Sequence, residues 1–131
     1  MSKAVLYAAN TNAQTVVVSG TTINFGNIVR RYGCNCYLSG GNATVEGSGY
    51  YAVDANVSFT GSAGTVLVQL YEDGVAIPGA SGTLIIAANG VGSITIPTIV
   101  RQRCCKESVI TANISGTAGT VTNASIRVIK L

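Results

Sequence analysis

The sequence predicts an all-β domain of short antiparallel strands packed as a sandwich. Apolar residues recur with a period of two, glycine-rich breaks recur at strand-length intervals, and no stretch sustains a helical period. The clearest strand spans residues 50–59. Tyr51, Val53, Ala55, Val57 and Phe59 fall on one side, and Tyr50, Ala52, Asp54, Asn56 and Ser58 on the other, as in a half-buried strand.

The remaining elements follow from the same two signals. Thr22, Ile23, Asn24 and Phe25 alternate similarly, and residues 15–19, 42–46, 83–87, 93–100, 108–114 and 124–131 are further β-branched runs. Glycine-rich breaks at residues 40–41, 47–49, 61–64, 79–82, 89–92 and 116–119 supply the positive-φ positions that tight turns need. Asp73-Gly74 between the apolar runs 66–71 and 75–77 predicts a hairpin, because Asp-Gly suits a type I′ turn. Residues 56–66 and 113–121 echo each other as strand, glycine-rich turn and strand, and are expected to be equivalent hairpins.

The chain is expected to form one domain over residues 1–131, with N-terminal strands and an attachment arm in residues 1–40 and the main sandwich in residues 41–131. Hydrophobic residues make up 47% of it and charged residues only 10%, against about 25% charged in a typical soluble domain. Disorder is excluded, since it needs low hydrophobicity and high charge. No apolar run approaches the ~20 residues of a membrane-spanning helix. Residues 1–9 are too short and too soon interrupted by Asn10 for a signal peptide. A net charge of +3 does not call for nucleic acid.

A charge-poor apolar chain fits an oligomer subunit, because interface cores are depleted of charge. The alternative is a monomer whose surface is mostly Ser, Thr, Asn and Gly. Two runs favour the oligomer. Val66, Val68 and Leu70 oppose Leu67 and Tyr71, while Ile126 and Val128 oppose Ile129 and Leu131, so both strands are apolar on both faces. Such strands need covering twice, and in a chain without helices a neighbouring subunit is the obvious second cover.

Catalysis is not expected. The chain has no His, which removes the commonest general base and metal ligand. A carboxylate pair for glycoside cleavage is conceivable only if folding joins Glu46 and Asp54. No cofactor or metal is expected: Cys34-Asn35-Cys36 and Cys104-Cys105 lack the C-x₂₋₄-C spacing of structural zinc sites. Buried free thiols or disulfides among Cys34, Cys36, Cys104 and Cys105 both remain open. Arg30, Arg31, Arg101, Arg103 and Lys106 flank the cysteine pairs. If these segments converge, they form a basic end suited to an acidic partner. The four Asn-X-Ser/Thr sequons, beginning at Asn42, Asn56, Asn113 and Asn123, arise easily in so polar a composition.

The order of features resembles a known family. GYYAVDANVSFTG, TVLVQLYEDGVAIPGA, GSITIPTIV and the closing ASIRVIKL are similar, as pattern rather than identity, to the jelly roll of complement globular heads, tumour necrosis factor and bacterial collagen-tip domains. The resemblance covers roughly residues 40–131. It implies a homotrimer, with Val66, Val68, Leu70, Tyr71, Ile126, Val128, Ile129 and Leu131 in the trimer core. Jelly rolls of this kind also occur on bacteriophage particles, so the resemblance further implies a virion protein made in the host cytoplasm, a capsid-decoration, head-fibre or tail module. Its expected partners are itself and capsid or tail proteins, with no nucleic acid and no membrane. The alternative is a receptor- or glycan-binding module reading its ligand through loops 79–82 and 89–92.

Overall fold

The computed structural model describes residues 3–33, 35–88, 90–103 and 106–131. Twelve strands run in chain order: β1 (Val5–Asn10), β2 (Gln14–Val16), β3 (Thr21–Thr22), β4 (Asn27–Tyr32), β5 (Cys36–Ser39), β6 (Asn42–Glu46), β7 (Gly49–Gly61), β8 (Gly64–Glu72), β9 (Val75–Ile86), β10 (Gly90–Gln102), β11 (Glu107–Ser115) and β12 (Gly119–Lys130). Among the described residues there is no helix. Sheet A is ordered β10-β7-β12-β1-β4 with β2 beside β12, and sheet B is ordered β5-β6-β11-β8-β9 with β3 beside β11. All pairings are antiparallel. The chain is a two-sheet jelly-roll sandwich.

The alternation of β7 places Tyr51, Val53, Ala55, Val57 and Phe59 inside, against Val66, Val68 and Leu70 of β8 and Ile110, Ala112 and Ile114 of β11. Each large side chain buried in this way contributes about 1.5–3 kcal/mol relative to exposure. The described residues among the first forty are built into both sheets, and β1 lies between β12 and β4 in sheet A.

Three turn expectations had different outcomes. Asp73 and Gly74 have φ of 52° and 82°, the left-handed pair of a type I′ turn between β8 and β9. Hydrogen bonds from Asp73 N–H to Val109 O (2.9 Å) and from Val109 N–H to the Asp73 carboxylate Oδ1 (2.9 Å) fasten the tip to β11.

Residues 79–82, expected as a turn, instead lie within β9. The β8–β9 register slips between Gln69 and Tyr71, and Gln69 Nε2 donates to Ile77 O (3.0 Å) and Ala80 O (3.2 Å). The amide thus satisfies the carbonyls that the bulge takes out of the ladder, and the strand continues.

The echoed segments are equivalent, but they are not hairpins. β7 and β12 lie in sheet A and β8 and β11 in sheet B, so residues 62–63 and 116–118 both arch from one sheet to the other. Arching lets consecutive strands turn their apolar faces toward one core; a hairpin would leave them side by side in one sheet. The arches touch through Ser62 N–H to Ala118 O (3.2 Å), and Gly61 pairs with Gly119. A Cβ at Gly119 would stand 2.4 Å from Thr60 O, so the approach requires glycine.

Candidate functional site

Two surface features stand out, both on the outward side of sheet A. Because Leu6, Val53, Val100 and Val128 point into the core, their chain neighbours point outward. Strand register then aligns Ile99, Ala52, Ile129, Val5 and Tyr32 in one row across β10, β7, β12, β1 and β4. The row spans four strand spacings, roughly 19 Å. Ile99 is 61% exposed and Tyr32 66%.

Two residues further along the strands, Pro97, Asp54, Arg127, Tyr7 and Arg30 form the next row. At its centre Arg127 Nε donates to Asp54 Oδ2 (3.1 Å), and the terminal guanidinium nitrogen pairs with the same oxygen. Thr95, Asn56, Ser125, Ala9 and Asn27 follow, with Asn56 Nδ2 donating to Thr95 Oγ1 (3.1 Å). The face therefore grades from apolar, through one ion pair, to neutral polar.

The second feature is an open cleft of about 340 Å³ at the apolar end of this face, lined by Ser48, Gly49, Tyr50, Arg101, Gln102 and Arg103. Its walls are braced. The Tyr51 hydroxyl, at the inner end of a fully buried side chain, donates to Glu46 O (2.7 Å) and Gly47 O (2.9 Å), while Asn35 Nδ2 donates to Glu46 O (2.9 Å). These bonds hold the β6–β7 turn from which Tyr50 projects. Register sets Tyr50 opposite Arg101, whose guanidinium carbon lies 5.8 Å from the Tyr50 ring centre. Gln102 is buried: its Oε1 accepts from the Ser108 hydroxyl (2.7 Å), and its Nε2 has no partner among the described residues.

Several sequence expectations are redistributed. Val66, Val68, Leu70, Ile126 and Val128, expected in a trimer core, are at most 1% exposed between the sheets of a single chain. The facing sheet supplies their cover, so they require no second subunit. The outward residues of the two runs also point opposite ways, Leu67 and Tyr71 from sheet B and Ile129 from sheet A, and one flat interface cannot cover both. Of the eight expected residues only Ile129 belongs to the apolar row; Leu131 follows at its margin, donating its N–H to Tyr50 O (2.8 Å).

The five basic residues do not form one cluster. Arg101 and Arg103 lie at the β10 edge of sheet A, with Lys106 just before β11, and Arg30 and Arg31 lie on β4 at the opposite edge. Arg31 turns toward sheet B, donating from Nε to Cys36 O (2.9 Å), with its guanidinium carbon 6.0 Å from the Tyr37 ring centre. Tyr37 donates to Glu107 Oε2 (2.6 Å), and this bond pushes its phenol pKa up.

Cys36 is a free, buried thiol; Cys34, Cys104 and Cys105 lie outside the described residues, as does Asn89 of the expected reading loops. Glu46 in sheet B and Asp54 on the outward side of sheet A are not brought together, so the conceivable carboxylate pair does not form. The residues that sequence reasoning missed are Val5, Tyr7, Ile99 and Tyr50. Alternation marks the side on which Tyr50 and Ile99 lie but leaves Val5 and Tyr7 of β1 unmarked, and only register makes neighbours of the four.

No protein-family model matches the chain, and no curated protein matches it in sequence. Solved structures do. Murine APRIL at pH 5.0 superposes with a TM-score of 0.80 at 16% identity, covering 99% of this chain and 100% of that one. The globular domain of zebrafish complement 1qA protein gives a TM-score of 0.74 at 11% identity, covering 99% and 98%. PRD1 vertex protein P5 gives 0.72 at 11% identity, covering 98% and 96%. With so little identity over such complete coverage, what these proteins share with this chain is its fold, the entire two-sheet jelly roll.

Proposed function

We propose that the chain is a structural protein of a bacteriophage particle, a homotrimeric decoration or fibre-like module that binds the capsid or tail and stabilises it. The observation that carries the reading is the apolar row Ile99, Ala52, Ile129, Val5 and Tyr32 on the outward side of sheet A, exposed at its two ends and half-buried between them. A contiguous apolar surface on a chain with 10% charged residues favours self-association. The likeness to PRD1 vertex protein P5 supports a location on a virion.

In this reading the outward side of sheet A is the assembly face, and Arg30, Arg101, Arg103 and Lys106 remain at the edges and end of the sandwich for an acidic surface of the particle. Its partners are other copies of itself and capsid or tail proteins. Light scattering at micromolar concentration tests the first part: a mass of three chains is expected, and a stable single-chain mass sinks the trimer. Saturable co-sedimentation with purified particles lacking the protein tests the second; its absence rules out the structural role.

A further inference from the structure

The cleft beside β10 combines features that neither a core nor a self-association surface requires. Arg101 and Arg103 make no hydrogen bond or ion pair among the described residues, so their charges are not already neutralised. Tyr50 remains 52% exposed while the Arg101 guanidinium rests beside its ring. Ser48 adds a hydroxyl, while the Gln102 side chain turns inward to Ser108 and braces the floor of the cleft. The turn carrying Ser48 and Tyr50 is fixed in advance by Tyr51 and Asn35, so the walls need little reorganisation to accept a ligand. At about 340 Å³ the cleft is at the small end of ligand sites, suited to one or two sugar rings.

We propose that this cleft binds an acidic saccharide, a sugar unit bearing a carboxylate. The guanidinium groups of Arg101 and Arg103 take the carboxylate through charge-assisted hydrogen bonds. Tyr50 offers an aromatic surface to the apolar C–H face of the ring, and the Ser48 hydroxyl offers a polar group to its hydroxyls. An acidic peptide would satisfy the arginines but would leave the aromatic wall of Tyr50 unused. The site is lined by one chain at the end of the apolar face, and it draws on Arg101 and Arg103, which the particle reading would otherwise turn to an acidic surface of the particle.

The test is calorimetric titration of the full chain with two carboxylated probes, an oligogalacturonate and a sialic acid oligomer. A neutral galactose oligomer and a short polyaspartate peptide serve as controls. Saturable binding of at least one carboxylated probe is expected, with neither control matching it. Arg103→Ala and Tyr50→Ala are each expected to weaken binding about tenfold or more. Arg30→Ala removes the same charge from the opposite edge of the sheet and should leave affinity within about twofold, because exposed charges that far apart are largely screened. Binding of neither carboxylated probe overturns the proposal, as does equal binding of the neutral oligomer or the peptide. Equal losses in Arg30→Ala and Arg103→Ala would reduce the site to diffuse electrostatic attraction and also overturn it. Circular dichroism of each variant separates lost binding from lost fold, and the mass by light scattering reports separately on the trimer.

Discussion

At the scale of single residues, Cys36 shows what burial does to chemistry. It is fully enclosed in the core and paired in register with Val45, and burial pushes its thiol pKa from 9.0 up to about 11 against the opposing pull of Arg31 and Lys130. The thiol is inert at neutral pH, since only the thiolate is a nucleophile. The folded protein holds this proton more tightly than the unfolded chain does. The stability it contributes is therefore fully present below pH 9.0 and is lost as the pH rises toward about 11. Tyr51, also raised by burial, adds to the decline from its ordinary value of 10.0 upward. Urea midpoints measured at about pH 8 and about pH 10 should fall in the native chain and fall less in Cys36→Ala; equal declines would refute the assignment. The Arg127–Asp54 pair is a different case. With Arg127 more than half exposed, it contributes little to the stability of one chain and more to the character of the face it occupies.

At the scale of elements, the sandwich closes along one side where β9 meets β10. Glycines on each strand receive side chains from the other: a Cβ at Gly82 would stand 2.3 Å from Ile94 Cδ1, and one at Gly92 would stand 2.6 Å from Leu84 Cδ2 and 2.9 Å from Ile86 Cδ1. Gly92→Val should therefore wedge the seam open and destabilise the fold by about 1–3 kcal/mol, read as a lowered urea midpoint. An unchanged midpoint would show that the seam is loosely packed. Neither glycine had an evident role in the sequence, where both lie among turn signals. Strands β7, β8, β10, β11 and β12 were legible because alternation over a two-sided sheet is a strong signal. Strand β4 was not, because all six of its residues are exposed and no periodicity remains to detect. Strand β5 has only four residues, and β1 mixes Val, Leu and Tyr with Ala on both faces, so neither carried a clear pattern. The break read at residues 79–82 reflected real turn chemistry that the Gln69 amide absorbs into a bulge.

At the scale of the whole molecule, the sandwich class was legible, but the two sides of the sandwich could not be told apart. Strands apolar on both faces suggested one assembly surface; the topology puts their outward residues on opposite sides of the molecule and leaves Ile129 as the member in the apolar row. Likewise Arg101 and Arg103 stood out as a basic group, while Tyr50, about fifty residues earlier, became part of the same cleft only through the β7–β10 register. Because Ile129 faces outward, Ile129→Lys should leave circular dichroism unchanged while converting the proposed trimer to single chains in light scattering. A variant of undiminished mass would move the interface elsewhere. The position of β12 also governs how the molecule comes together. It lies between β7 and β1, so the centre of sheet A pairs residues 119–130 with residues 51–61 on one side and residues 5–10 on the other. Neither pairing can begin until the last strand arrives. Such long sequence separations make folding slow, on the order of milliseconds to seconds for domains of this type. During that interval β7 and β1 each present an unpaired edge toward the gap, and a second copy of β12 could fill it as well as the chain's own. The arrangement that makes the finished sheet continuous thus also makes strand exchange between chains the foremost hazard of its folding.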